Sequence, residues 1–130
     1  MRGWAVARNH REFFHVDLER DWDSIPGYPP GFASITLTDT LDPKRQTGRR
    51  TRVLRIDPGV VLTRQVVHDH CEEVFLFQGD LVVGCDETGA GGEVFTAPTY
   101  AIRPENIRHG PFSSRAGCLM FESHYYEAES

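Results

Sequence analysis

Three histidines and the acids beside them are the residues of this chain best placed to do chemistry. His68 and His70 stand two apart in Val66-Val67-His68-Asp69-His70-Cys71-Glu72-Glu73, and His109 closes the segment Arg103-Pro104-Glu105-Asn106-Ile107-Arg108-His109. In an extended chain, side chains at i and i+2 project from one face. A carboxylate just past a tight turn and a third imidazole from a distant strand would complete a site for a divalent first-row ion. Three imidazoles and one carboxylate suit such an ion and leave coordination positions for water or a substrate. Cys71-Glu72 can form a two-residue hairpin turn that sets His70 directly opposite Glu73, with Cβ atoms about 4.5–5.5 Å apart. That parity selects Glu73 as the fourth ligand and leaves Glu72 in the turn itself. Outside the coordination sphere, Glu73 would serve as a general base.

The same parity carries outward from these residues. Phe75 and Phe77 continue the face of Glu73, where apolar side chains limit water access to an ion. Tyr100 and Phe121 are core aromatics that would also line the pocket. Arg64 shares the histidine face and could clamp a carboxylate or enolate through its two-pronged guanidinium. Four residues along a strand is about 13 Å, however, which puts Arg64 toward the far mouth. Cys71 faces away from the ligands, while His10, His15 and His124 read as surface or core-edge histidines.

Positioning these side chains calls for strands. Runs rich in Val, Ile, Leu, Thr, Phe and Tyr cover Phe13–Asp17, Ala33–Thr38, Thr51–Ile56, Val60–His70, Glu73–Cys85, Glu93–Phe95, Thr99–Arg103 and Cys118–Tyr126. Pro/Gly turns such as Asp57-Pro58-Gly59 and Arg103-Pro104-Glu105-Asn106 separate them, and Asn106 suits a left-handed turn position. No window keeps a 3.6-residue apolar period. The reading is all-β, a sandwich or barrel of two antiparallel sheets. At 130 residues it is one domain, with an N-terminal extension and edge strand over residues 1–32 and a barrel over 33–130.

Composition narrows the partners. A net charge of −5 with no concentrated basic block argues against nucleic acid and anionic membrane surfaces. The 3 cysteines are odd in number and lack a CxxC pair, which suits a reducing compartment. No signal-peptide pattern and no long apolar run occur, so a cytoplasmic protein is expected.

The segment Gly59-Val60-Val61-Leu62-Thr63-Arg64-Gln65-Val66-Val67-His68-Asp69-His70-Cys71-Glu72-Glu73-Val74-Phe75-Leu76-Phe77-Gln78-Gly79, followed by Ala97-Pro98-Thr99-Tyr100-Ala101-Ile102-Arg103-Pro104-Glu105-Asn106-Ile107-Arg108-His109, resembles the two cupin motifs. The resemblance covers roughly Thr51–Phe121. The upstream stretch Asp21–Phe32 (DWDSIPGYPPGF) and the later His109–Glu122 (HGPFSSRAGCLMFE) are similar to a subgroup that contains the cupin half of the ChrR anti-sigma factor and small dioxygenases of acetylacetone or dihydroxyacetophenone. It implies a jelly-roll barrel, commonly dimeric, holding one divalent ion near a mouth through His68, His70, Glu73 and His109. Relatives with three histidines alone, or with a carboxylate recruited from elsewhere, keep Glu72, Glu93 and a three-histidine site open. Ferrous iron is the expected ion, with Zn2+, Ni2+ or Mn2+ as alternatives. The implied activity is a dioxygenase acting on a small diketone, hydroxyketone or aromatic compound. Isomerase, cyclase or lyase chemistry goes with the other ions, and a non-catalytic sensor or small-molecule-binding module is the alternative. A homodimer is the expected assembly.

Overall fold

One long strand organises the chain. The computed structural model describes residues 9–127, so the first eight residues of the expected extension and the last three of the expected barrel lie outside the described residues. Strand β5 (Cys71–Val83) runs through both faces of the fold. Its first half pairs with β9 (Cys118–Tyr125) on one side and β7 (Thr99–Arg103) on the other. Beyond β9 follow β3 (Arg49–Ile56), β2 (Phe32–Asp39) and the short β1 (Asp23–Ser24). Its second half pairs with β6 (Glu93–Thr96) and with β8 (Phe112–Ser113), which in turn pairs with β4 (Val61–Leu62). All pairings are antiparallel, and the two sheets curl toward each other as a jelly-roll half-barrel. No helix occurs among the described residues, and no helix is long and apolar enough to cross a membrane.

The corner where β5 changes sheets is Gly79. Its φ is +84°, and a Cβ there would collide with the carbonyl oxygen of Gly117. Only glycine adopts this backbone without strain. Ahead of the corner the register with β9 shifts between Leu76 and Gln78, as at a β-bulge, which bends the strand. Behind it, Ser114 Oγ and the backbone N–H groups of Arg115 and Ala116 donate to Asp80 and tie down the turn.

Residues alternate cleanly about this frame. On β5, Glu72, Val74 and Leu76 are buried, whereas Phe75 and Phe77 are exposed. On β9 the buried set is Cys118, Met120, Glu122 and His124. Apolar members of these rows join Ile25, Phe32, Leu54, Ile56, Leu62 and Val66 in the core between the sheets. Burial of these side chains from water is the main favourable contribution to folding.

Two expected strands do not form. Phe13–Asp17 is irregular, held by Arg11 Nη2 donating to the Leu37 carbonyl and by Asp17 turn bonds to Glu19 and Arg20. Of Val60–His70 only Val61–Leu62 is strand. The rest is irregular, with a single isolated bridge between Val66 and His109.

Candidate metal centre

That bridge brings together the two histidine-bearing segments. Val66 N–H donates to the His109 carbonyl at 2.7 Å, and His109 N–H returns to Val66 at 2.9 Å. Asn106, whose φ of 65° is the left-handed turn expected of it, donates its N–H to the His68 carbonyl at 2.8 Å. His68 and His109 thus face each other across a two-point clamp, with ring centroids 5.2 Å apart.

The carboxylate between them is Glu72. Its Oε2 lies 3.9 Å from His68 Nε2 and its Oε1 lies 3.8 Å from His109 Nε2. These gaps are too wide for hydrogen bonds. Two ligands sharing an ion, each bonded at about 2.0–2.2 Å, sit about 3–3.6 Å apart, so the observed spacing is close to that span. His109 Nδ1 lies 3.1 Å from the Ile107 carbonyl, where it must donate, so its Nε2 presents a lone pair to Glu72. Such a backbone contact is how proteins orient a ligating imidazole. Burial drives the His68 pKa down to about 4 and lowers that of His109, so both rings are neutral near pH 7, as ligands must be. A cavity of about 40 Å³, bordered by His68, Glu72 and His109, lies at this point. It has room for an ion with one or two waters and little more. The donor set therefore fits a divalent cation.

The register explains the rest of the site. Glu72 is opposite Arg103 on β7 and opposite His124 on β9, while His124 is opposite Arg50 on β3. Directly opposed residues share a face. Arg103 Nη1 donates to Glu72 Oε1 at 2.8 Å, and His124 Nε2 donates to Glu72 Oε2 at 2.9 Å. Arg50 Nε and Nη2 approach His124 Nδ1 at 3.0 and 2.9 Å. Glu72 and Glu122 pull His124 toward protonation against the effect of burial. Arginine offers only donors, though, so Nδ1 must accept and the ring is neutral with its hydrogen on Nε2. Burial and the charge of Glu122 push Glu72 toward protonation, but the bond from His124 and the facing imidazoles hold its carboxyl below the usual range. One register step along, Arg52 Nε pairs with buried Glu122 at 2.7 Å. The Arg52 charge outweighs desolvation and keeps Glu122 ionised.

Several sequence expectations need correction. Glu73 lies on the outer face, not among the histidines. Its Oε1 accepts from Tyr100 Oη at 2.5 Å and its Oε2 from Tyr125 Oη at 2.9 Å. The cause is that Cys71 and Glu72 begin β5 instead of forming a hairpin turn, so the parity shifts by one residue and Glu72 turns inward. Phe75, Phe77, Tyr100 and Phe121 follow Glu73 outward and are 39–53% exposed; none borders the cavity beside Glu72, and Tyr100 alone of the four borders a neighbouring one. His70 is buried near the cluster, its ring 4.6 Å from that of His68, but its Nδ1 is turned to the Cys71 carbonyl. It borders a separate cavity with Asp69, Cys71 and Glu105. His68 and His70 do not sit in a strand, so the i, i+2 argument does not apply to them. Arg64 is exposed and donates to the Gly27 carbonyl, outside the site cavity. Glu93 is exposed on β6. Cys71 faces away from the cluster as expected but is buried, with its Sγ 3.3 Å from Glu105.

Sequence reasoning missed Arg103 and the pair Glu122 and His124, placing His124 at the surface or the core edge, whereas its exposure is 0%. The signal was present in Cys118-Leu119-Met120-Phe121-Glu122-Ser123-His124. There the buried parity of Cys118 and Met120 continues unbroken through an acid and an imidazole.

A family model described as the ChrR cupin-like domain matches residues 20–126. No curated sequence is significantly similar to the chain. Among solved structures, an acetylacetone dioxygenase from Acinetobacter johnsonii superposes with a TM-score of 0.66 at 17% identity, covering 90% of this chain and 75% of that one. An RmlC-like cupin from Shewanella frigidimarina gives 0.63 at 18% identity, over 92% and 95% of the two chains. The complex of Rhodobacter sphaeroides SigE with the anti-sigma ChrR gives 0.59 at 19% identity; the match covers 82% of this chain and 50% of that one. At these identities the likeness is one of fold.

Proposed function

The chain belongs to the ChrR cupin-like family, and from that premise we propose that it is a metal-dependent cupin enzyme acting on a small diketone, hydroxyketone or aromatic compound with dioxygen. The supporting observation is the convergence of His68 Nε2 and His109 Nε2 on the Glu72 carboxylate, at 3.9 and 3.8 Å. A buried carboxylate flanked by two neutral imidazoles is a donor set that a divalent cation can share. His68, Glu72 and His109 would hold the ion, and His70 could join only by turning its ring from Cys71.

Ferrous iron would supply dioxygen chemistry, whereas Zn2+, Ni2+ or Mn2+ in the same donors would supply Lewis acidity for isomerase, cyclase or lyase reactions. This chain's residues do the orienting. Arg103 and His124 fix both oxygens of Glu72, and the core side chains Val74, Leu81 and Met120 keep the cavity dry. Its three buried free cysteines fit the cytoplasm. Protein loaded with stoichiometric iron should consume oxygen with acetylacetone or a dihydroxyacetophenone in an oxygen-electrode assay. No uptake across that panel with the iron in place would overturn the dioxygenase reading.

A second reading, a binding or sensing module without catalysis, draws on one observation. Phe75 lies directly across from Tyr100 on one side and Phe121 on the other, and all three are about half exposed on the outer face. Contiguous exposed apolar surface of this kind marks protein contacts. A homodimer through this face accompanies either reading. Sedimentation of wild type against Phe121→Asp should show a dimer reduced to monomer, and a monomeric wild type would dismiss it.

A further inference from the structure

The ion-sized cavity is not the only space between the sheets. A second cavity, of about 220 Å³, lies beneath β7 and shares Val74, Leu81, Arg103 and Met120 with the first. The rest of its wall includes Leu76, Val83, Phe95 and Ala101. Ala101 stands opposite Val74, and that small inward residue leaves the space open. An enclosed apolar cavity of about 150 Å³ admits benzene, and this half-open cleft of about 220 Å³ has room for a six-membered ring with a substituent. By contrast, the 40 Å³ beside Glu72 cannot hold an organic molecule together with an ion.

Arg103 is the charged residue on the boundary. One of its N–H groups is committed to Glu72, and its guanidinium carbon lies 5.9 Å from the Phe112 ring centroid. Arginine has five donors in a planar fork, so four remain for a ligand or water. Glu72 and Glu122 are balanced by Arg52 and Arg103, and Arg50 is balanced by Asp39 across from it. A divalent ion therefore leaves the site two positive charges in excess, an electrostatic preference for an anion next to Arg103.

We infer that the site takes an oxyanion, a carboxylate or an enolate, carried on an apolar body about the size of a phenyl ring, with Arg103 reading the anionic head and the chamber beneath Ala101 holding the body. This rests on the metal reading for the charge balance, while the chamber stands on the geometry alone. A polar molecule without the body would leave the chamber unfilled, and a neutral one would leave the positive charge beside Arg103 without a counter-charge.

The test uses redox-inert zinc-loaded protein and three probes: benzoate, its neutral counterpart benzamide, and acetate, which lacks the body. Calorimetric titration should show benzoate binding at least about tenfold tighter than either, the scale of one charge-assisted hydrogen bond or one buried ring. Ala101→Phe should remove the advantage of benzoate over acetate while zinc stoichiometry and acetate binding persist. Arg103→Gln should erase the preference for benzoate over benzamide. Equal affinity for benzoate and benzamide on wild type, or an undiminished benzoate advantage in Ala101→Phe, would overturn the inference. Failure of the metal reading shows separately, as wild type that takes up no zinc. In that event the same titrations on metal-free protein still decide the chamber: an Ala101-dependent preference for benzoate over acetate supports it, and its absence refutes it.

Discussion

Exchanging carboxylate for amide at Glu72 and, separately, at Glu73 tests the parity of β5 most directly. Both oxygens of Glu72 accept hydrogen bonds, from Arg103 at 2.8 Å and from His124 at 2.9 Å. Glutamine offers one oxygen. If that oxygen stays on Arg103, the amide NH2 meets the Nε2–H of His124. His124 cannot move that hydrogen to Nδ1, because Arg50 donates there. If the amide flips, the NH2 faces Arg103 instead. One charge-assisted bond at a buried position is lost either way, a change of about 1.5–3 kcal/mol. Relief of the repulsion between Glu72 and Glu122 offsets part of it, which brings the expected loss to about 2 kcal/mol. In a domain of this size that corresponds to a Tm lowered by roughly 6–10 °C in metal-free protein. Zinc affinity should fall by more than about 100-fold, beyond the range for partners that only orient a ligand. Glu73→Gln should keep its zinc and stay within about 0.5 kcal/mol of wild type. Thermal melts in chelator, with a competition titration for zinc, measure both quantities. Full zinc stoichiometry in Glu72→Gln together with its loss in Glu73→Gln would refute the assignment of the inward face.

The histidines should separate in the same titration. His68→Ala and His109→Ala should each weaken zinc more than about 100-fold, whereas His70→Ala should weaken it less than about tenfold; equal effects would place His70 in the coordination sphere. In metal-free protein, stability should depend on the pH between about 4 and 6.5. Burial lowers the His68 pKa to about 4, so the unfolded chain binds a proton near 6.5 that the folded chain refuses until about 4. Stability is complete above that window and falls as the pH drops through it, by about 1–2 kcal/mol after allowance for partial solvation of the ring. Urea unfolding at pH 7.5 and 4.5 checks this, and a His68→Gln variant with an unchanged slope would refute it. Gly79→Ala should destabilise by more than about 3 kcal/mol, because a clash with Gly117 adds to the strain of its positive φ. Gly84→Ala, with φ +81° but nothing near its Cβ, should cost only about 1 kcal/mol. Equal losses at the two positions would show that the corner is not a close approach.

The all-β class was legible because turn residues punctuate short β-branched runs, and Ala33–Thr38, Thr51–Ile56, Thr99–Arg103 and Cys118–Tyr126 fall on strands. The segment before Cys71 was not legible. Val60–His70 has strand composition, yet one bridge at Val66 replaces a continuous ladder, and composition does not say which strand a segment will find as a partner. The choice of Glu73 over Glu72 failed for a related reason. A hairpin at Cys71 and a strand starting there differ by one residue of parity, and one residue moves every side chain to the other face. Arg103 and His124 became functional only through cross-strand register, a long-range property that no local window contains. The motif itself located the histidines because ligating residue types at close spacing need no pairing information.

Arg103, Glu72, His124, Arg50 and Asp39 stand in register across five strands, from β7 to β2. Each member limits the proton on its neighbour. The Arg50 donors keep the Nδ1 of His124 bare, which turns its single hydrogen toward Glu72 and leaves Glu72 an anion held by donors. Protonation of His124 and binding of a cation at Glu72 therefore oppose each other electrostatically, an opposition set from the far side of the sheet. Removing the lock, as in Arg50→Met, would let an imidazolium form where it competes with the ion for the same carboxylate. Metal affinity would then acquire a steep acid dependence that the intact row suppresses. In this sheet, the order in which the strands lie side by side determines how many charges the site can hold.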